Sequence, residues 1–136
     1  MFFRIESSNG LAIYEQIVRQ VKFAVAGEAL QAGDLVPSVR ELSRDLAVNP
    51  NTVARAYREL QVDGVLAPLR GTGLEVTSHA AKHCAGERVN LIRERLRSVL
   101  VEARRSRLEL SEIRTIVDEE LARVEKTAVD KKGKGP

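Results

Sequence analysis

Residues 37–77 read P-S-V-R-E-L-S-R-D-L-A-V-N-P-N-T-V-A-R-A-Y-R-E-L-Q-V-D-G-V-L-A-P-L-R-G-T-G-L-E-V-T, and this stretch decides the fold. Ser38 followed three residues later by Glu41 is a capping box: the serine oxygen accepts the glutamate amide, and the glutamate reaches back to the serine amide. A helix starts there. Leu42, Leu46, Val48, Val53 and Leu60 then place apolar side chains on one side of two helices, and small Ser43 and Ala56 let those helices cross closely. The spacing predicts a helix-turn-helix.

The second of these helices carries its own start signal. Asn49 suits an N-cap, and Pro50 at the first helical position gives up an amide that had no intrahelical partner anyway. Asn51, Thr52 and Arg55 then occupy the first turn and a half, facing away from Val53, Ala56 and Leu60. That is the geometry of a helix presenting its N-terminal turns to base edges in a major groove. Asparagine suits adenine, a threonine methyl suits the thymine methyl, and arginine suits guanine or phosphate. Asp63-Gly64 ends the helix, with Gly64 as a left-handed cap. Residues 65–67 and 74–77 are predicted strands around a tip at 68–73. A hairpin with Arg70 between flexible glycines is the wing of a winged helix, able to reach a minor groove or clasp phosphate.

The segments P-S-V-R-E-L-S at 37–43, V-N-P-N-T-V-A-R-A-Y at 48–57 and G-V-L-A-P-L-R-G-T-G at 64–73 together resemble the winged-helix domain of GntR-family bacterial transcription regulators. The resemblance begins near Ile13-Tyr14-Glu15-Gln16-Ile17 and runs to about Thr77. The Asn-Pro-Asn-Thr form of the second helix and the short chain after it are similar to the YtrA-like subfamily. The resemblance implies DNA contacts from Arg40, Asn49, Asn51, Thr52 and Arg55, and from Arg70, Gly71 and Thr72 on the wing. Three positions depart from the family pattern. Pro50 stands where other branches often carry arginine, Ala47 fills a turn position that is often glycine, and Val36 replaces a common leucine.

Outward from this stretch, Phe2, Phe3 and Ile5 form a leading segment expected to pack on the first helix or on a neighbouring subunit, and residues 7–10 read as a turn. From Ile13 to about Leu30 apolar residues recur at three and four, which predicts an amphipathic helix covering the back of the helix-turn-helix. After the wing, Val89, Ile92, Leu96, Val99, Leu100 and Ala103 share one helix face. Ser111 then caps a second helix, lined by Ile113, Ile116, Val117, Leu121 and Val124. Two such helices form an αα-hairpin whose apolar stripes exceed what each can hide against the other, and the natural partner is a second copy. The hairpin is too small to enclose a conventional ligand pocket of its own.

The expected architecture is therefore mainly α with a small β-hairpin wing: a winged helix-turn-helix domain followed by a two-helix C-terminal dimerisation module. Residues 1–78 are the DNA-binding domain, 79–88 a connector that is either irregular or already helical from Ala80, 89–126 the αα-hairpin and 127–136 a disordered basic tail.

Composition bounds the function. Residues 1–78 hold eight Lys and Arg against nine Asp and Glu, and residues 79–136 hold fourteen against ten. A nearly neutral DNA-binding domain must act through the local placement of Arg40, Arg55 and Arg70, with modest non-specific affinity. The absence of Trp and an aromatic content of 4% argue against a stacking platform for single strands. No apolar run is long enough to span a bilayer, and the N-terminus lacks the pattern of a signal peptide. A single cysteine, Cys84, agrees with a reducing, cytoplasmic setting. No arrangement of nucleophile, base and orienting group suggests catalysis, and the glycines around Arg70 lack the remainder of a phosphate-loop motif.

The reading is a sequence-specific regulator of transcription, a repressor that binds double-stranded DNA as a homodimer on an inverted repeat, without cofactor or metal. A small-molecule effector is left open. Two other readings stand beside it. One is a winged-helix module that binds protein instead of DNA; the other is a metal or thiol sensor through His79, His83 and Cys84.

Overall fold

A computed structural model describes residues 3–6 and 10–133, residues 129–133 by backbone alone. Between Leu91 and Ile92 the chain divides into two compact units. The described elements are helices α1 (Ile13–Ala26), α2 (Val39–Leu46) and α3 (Pro50–Val62), strands β1 (Leu66–Leu69) and β2 (Gly73–Val76), and helices α4 (Ala80–Arg105) and α5 (Leu110–Gly133). The predicted fold class holds, with several boundaries moved.

In the first unit α1 buries Ile17, Val21 and Val25 completely, against Val53, Ala56 and Leu60 of α3 and Val65, Leu66 and Val76 of the hairpin. Phe3 joins this core, and the backbone leading from it is held along α1 by two glutamines one turn apart. The Gln16 amide bonds both the N–H and the C=O of Glu6, and the Gln20 amide does the same for Arg4. Phe2 and the turn expected at residues 7–9 lie outside the described residues. The first helix ends at Ala26, four residues earlier than its apolar pattern implied. The N–H groups of Ala29 and Leu30 both donate to Ala24 O, with Glu28 at φ 62°, so the chain folds back and Leu30 still reaches the core.

The helix-turn-helix forms as its caps direct. Ser38 Oγ accepts the Glu41 N–H at 3.1 Å, and Asn49 Oδ1 accepts the Asn51 N–H at 2.8 Å. Buried Ser43 and Ala56 give the close crossing. Between the helices Ala47 is left-handed (φ 54°, ψ 44°), which lets its own N–H donate to Arg44 O and the Val48 N–H to Ser43 O. Tyr57, on the buried side of α3, donates from its hydroxyl to Pro37 O at 2.6 Å and ties the start of α2 to α3; burial pushes its phenol pKa up. Gly64, at φ 78°, supplies the predicted left-handed exit, with the Val65 N–H donating to Leu60 O.

The strands of the wing reach further toward its tip than expected. Strand β1 takes in Pro68 and Leu69, and its register with β2 runs from Leu66↔Val76 to Leu69↔Gly73, leaving a tip of Arg70, Gly71 and Thr72. Pro68 is tolerated because β1 is an edge strand. On the other side of β2, Leu35 bridges Glu75, the Val36 N–H donates to Leu74 O, and the Val76 N–H donates to Asp34 O. Residues 34–36, just before α2, thus lie along the outer edge of the two-stranded sheet through an isolated bridge.

The connector at 79–88 is helical from Ala80, as one of its two readings has it, and forms the start of α4. Ala80 and Cys84, one turn apart, enter the core of the first unit. Buried Lys22 anchors the same turns: its Nζ lies 2.7 Å from Asp63 Oδ2, just past α3, and 2.7 Å from Glu87 Oε2. Burial opposes the charge on Lys22, but the hydrogen bonds and charges of the two carboxylates outweigh it and hold the ammonium above its usual range.

The second unit contains the rest of α4 together with α5. Helix α4 closes through left-handed Arg107 (φ 67°), with the Leu108 N–H donating to Ala103 O and Arg104 Nη1 to Leu108 O at 3.2 Å. Helix α5 starts at Leu110 instead of after Ser111, because Glu112 reaches back to the Glu109 N–H at 3.3 Å. It also continues to Gly133, so residues 127–133 are helical where a disordered tail was expected. Residues 134–136 lie outside the described residues. Ile113 is buried, but Ile92, Leu96, Val99, Leu110, Ile116, Leu121 and Val124 are each 47–64% exposed. A groove of about 400 Å³ runs between the helices, lined by Leu96, Leu100, Leu110, Ile113 and Val117 with Arg104, Arg114 and Asp118.

Candidate nucleic-acid interface

The residues expected to meet DNA fall on two packed helices and one hairpin tip. Arg40 is exposed on α2, Asn49 and Asn51 are exposed at the start of α3, Thr52 is half-buried there, and Arg55 is exposed one turn on. Arg70, Gly71 and Thr72 are all exposed at the wing tip. Gly71 has φ 74°, a conformation glycine adopts without strain. Thr72 closes the tip by donating its N–H to Leu69 O at 2.9 Å and its hydroxyl to Arg70 O at 3.1 Å.

The predicted roles are not equivalent. Asn49 already uses its Oδ1 as the cap of α3, so it offers a base or phosphate only its amide N–H groups. Asn51 engages the cap through its backbone, which leaves its side chain for recognition. The turns carrying Asn51, Thr52 and Arg55 are held in place from behind by Val53, Ala56 and Tyr57, each no more than 3% exposed. A rigid support of this kind keeps side chains in register with a groove.

Arg55 is also oriented from outside α3. Its guanidinium lies 3.7 Å from the centroid of the Tyr14 ring on α1, within cation–π range. The Tyr14 hydroxyl donates to Glu15 Oε1 at 3.2 Å, and this hydrogen bond is the main reason its phenol pKa is raised; the charge of Arg55 acts the other way. Sequence reasoning missed Tyr14 as a site residue. In the sequence it stands only as part of the stretch where the family resemblance begins, and nothing in the linear pattern sets it against a residue of α3. Arg44 and Arg58 are further exposed arginines, one turn beyond Arg40 and Arg55 respectively; spacing alone, i+4 and i+3, marks them as companions.

The proposed sensor residues are not assembled as ligands. Cys84 is 1% exposed within the core, and burial raises its thiol pKa. His83 Nε2 lies 3.2 Å from Glu87 Oε1. Among the described residues no three His, Cys, Asp or Glu side chains are grouped to hold a metal, and no helix is long and apolar enough to cross a membrane.

Comparison with known proteins returns one family and consistent relatives. The family model for bacterial regulatory proteins, gntR family, matches residues 13–76. The HTH-type transcriptional repressor YtrA of Bacillus subtilis is 33% identical over 116 residues, which is 85% of this chain and 89% of that protein. A structure titled as a transcriptional antiterminator from Listeria monocytogenes superposes with a TM-score of 0.62 at 31% identity, covering 88% of this chain and 90% of that one. YtrA from Sulfolobus acidocaldarius, a GntR-family transcription factor, superposes with a TM-score of 0.55 at 29% identity, covering 74% of this chain and 99% of that one.

Proposed function

Since the chain belongs to the GntR family of DNA-binding transcription regulators, we propose that it is a cytoplasmic repressor that binds an inverted-repeat operator as a homodimer. Its relatives are transcription regulators, not enzymes. The observation that carries the proposal is the start of α3: a capped, rigidly backed helix end with Asn51, Thr52 and Arg55 at its surface. Asn51 and Arg55 read base edges, and Arg40 and the tip residues Arg70, Gly71 and Thr72 hold the backbone. The amide of Asn49 adds one donor to this set.

We assign DNA binding to the winged helix and dimerisation to α4 and α5. Seven large apolar side chains about half exposed amount to on the order of 600 Å² per chain, close to the roughly 800 Å² per partner of a standard interface. A dimer then carries two α3 helices, which read half-sites one helical turn of DNA apart or a multiple of it. Repression then follows from occupancy of a promoter.

The test is selection of bound duplexes from a random pool at near-physiological salt. An inverted repeat is the expected outcome. Asn51→Ala or Arg55→Ala should then cost roughly 1–3 kcal/mol on that site and little on random DNA. Failure of folded protein to enrich any sequence, or equal losses on both DNAs, overturns the reading.

A further inference from the structure

Residues 1–78 hold eight basic side chains, and five of them, Arg40, Arg44, Arg55, Arg58 and Arg70, lie on α2, α3 and the wing tip. The other three lie elsewhere: Lys22 is buried between Asp63 and Glu87, Arg19 sits 5.3 Å from the Phe23 ring centroid, and Arg4 is on the segment laid along α1. Arg40, Arg55 and Arg70 already have a place at the DNA. Arg44 has a local reason for its position: it stands in the last turn of α2, where a cation complements the free carbonyls, and Glu41 is its neighbour at i−3. Arg58 has no such reason.

On the surface of α3 the neighbours of Arg58 are Ala54 and Arg55 behind it and Gln61 and Val62 ahead. None is acidic, and Arg55 at i−3 is a like charge, a spacing that weakens a helix until an anion from outside is added. Arg58 is exposed, and among the described residues no ion pair joins it to a carboxylate. With the pitch of an α-helix it lies about 20° around from Asn51 and about 10.5 Å further along the axis, on the stripe that runs from Asn51 through Arg55 to Val62. Val62 is 85% exposed, so the stripe is open to its last turn. A major groove is about 12 Å wide. With Asn51 and Arg55 at the bases, a side chain that far along the helix has reached the wall of the groove, and the wall is phosphate.

We propose that Arg58 is a further DNA contact: its guanidinium binds a backbone phosphate at the wall of the major groove, once per protomer, and the phosphate supplies the counter-charge that α3 lacks. The inference rests on the DNA-binding reading given above. It separates Arg58 from Arg55 in kind. A phosphate is the same in every sequence, so Arg58 adds affinity and salt dependence without choosing the site.

The test titrates full-length wild type, Arg58→Ala and Arg58→Lys by fluorescence anisotropy against the selected operator and a random-sequence duplex of equal length, each over a series of salt concentrations. Arg58→Ala should bind both duplexes more weakly by the same factor, on the order of tenfold for a dimer with two such contacts. Its slope of log affinity against log salt should be shallower by about 2, at roughly 0.9 per phosphate. Arg58→Lys should restore most of both, because a phosphate accepts a point charge as well as a planar fork. In thermal unfolding without DNA, Arg58→Ala should be no less stable than wild type, since it removes a like-charge pair.

A loss confined to the operator makes Arg58 a base reader and overturns the phosphate assignment. Unchanged affinity and slope on both duplexes make it a solvated side chain and overturn the contact. Weaker binding that lysine does not restore, together with a lower unfolding temperature, makes its role structural and overturns the inference too. Each of these leaves wild-type DNA binding intact. Wild-type protein that binds no duplex removes the regulator reading, and this inference with it.

Discussion

Replacing Lys22 by methionine keeps the aliphatic stem and removes the ammonium that holds α1, the end of α3 and α4 together. Its side chain is 8% exposed, and its nitrogen sits 2.7 Å from carboxylate oxygens of both Asp63 and Glu87. Removing one partner of a fully buried ion pair costs about 3–5 kcal/mol, because the other charge is stranded. Here the two carboxylates are 33% and 32% exposed, so water recovers part of their solvation and the expected loss is about 2–3 kcal/mol. For a domain of this size that corresponds to a fall in Tm of roughly 8–20 °C. Adding Asp63→Asn and Glu87→Gln should return most of the loss, since no charge is then left unpaired.

The same ammonium makes an alkaline signature. Its folded pKa lies above the unfolded value of 10.5, so its contribution is fully present below pH 10.5 and is lost as pH rises through the folded pKa. Urea denaturation from pH 9 to 12 should therefore show wild type losing stability faster than Lys22→Met. A Lys22→Met loss below about 0.5 kcal/mol, the scale of a surface pair, or a triple variant no more stable than the single one, would refute the claim that the ammonium is the tie.

Ala47→Gly relieves a left-handed alanine and should stabilise by about 0.5–1 kcal/mol in denaturant unfolding, after allowing for the greater freedom of glycine in the unfolded chain, with operator affinity unchanged. Asn49→Ala should lose about 1 kcal/mol of stability and Asn49→Ser almost none, because serine also caps, whereas both remove the amide donor and weaken operator binding alike. Tyr14→Ala should weaken binding to the selected operator roughly two- to fivefold by releasing Arg55, and Tyr14→Phe, which keeps the ring, should not; in an Arg55→Ala background the Tyr14→Ala effect should vanish in a fluorescence anisotropy titration.

Much of this protein is legible in local chemistry. Ser38, Asn49, Pro50 and Gly64 each satisfy or terminate backbone groups within a few residues of themselves, so the start of α2 and both ends of α3 follow from the chain alone. The exposed faces of α3 and the apolar stripes of α4 and α5 follow equally from helical periodicity. What depended on distant residues was not legible. The pairing of Leu35 with Glu75 needs two segments forty residues apart to meet, and the placement of Pro68 in a strand depends on β1 being the edge of that small sheet. The ion pairs that anchor the first turns of α4 join Lys22, Asp63 and Glu87 from three separate segments, and nothing in the linear pattern sets these charges together. Tyr14 is the clearest case at the site: the linear pattern gives its ring no role, but the packing of α1 across α3 lays it against the Arg55 guanidinium. Capping and periodicity are properties of a few consecutive residues, whereas a cation–π contact or a buried ion triad exists only once the tertiary fold has closed the distance.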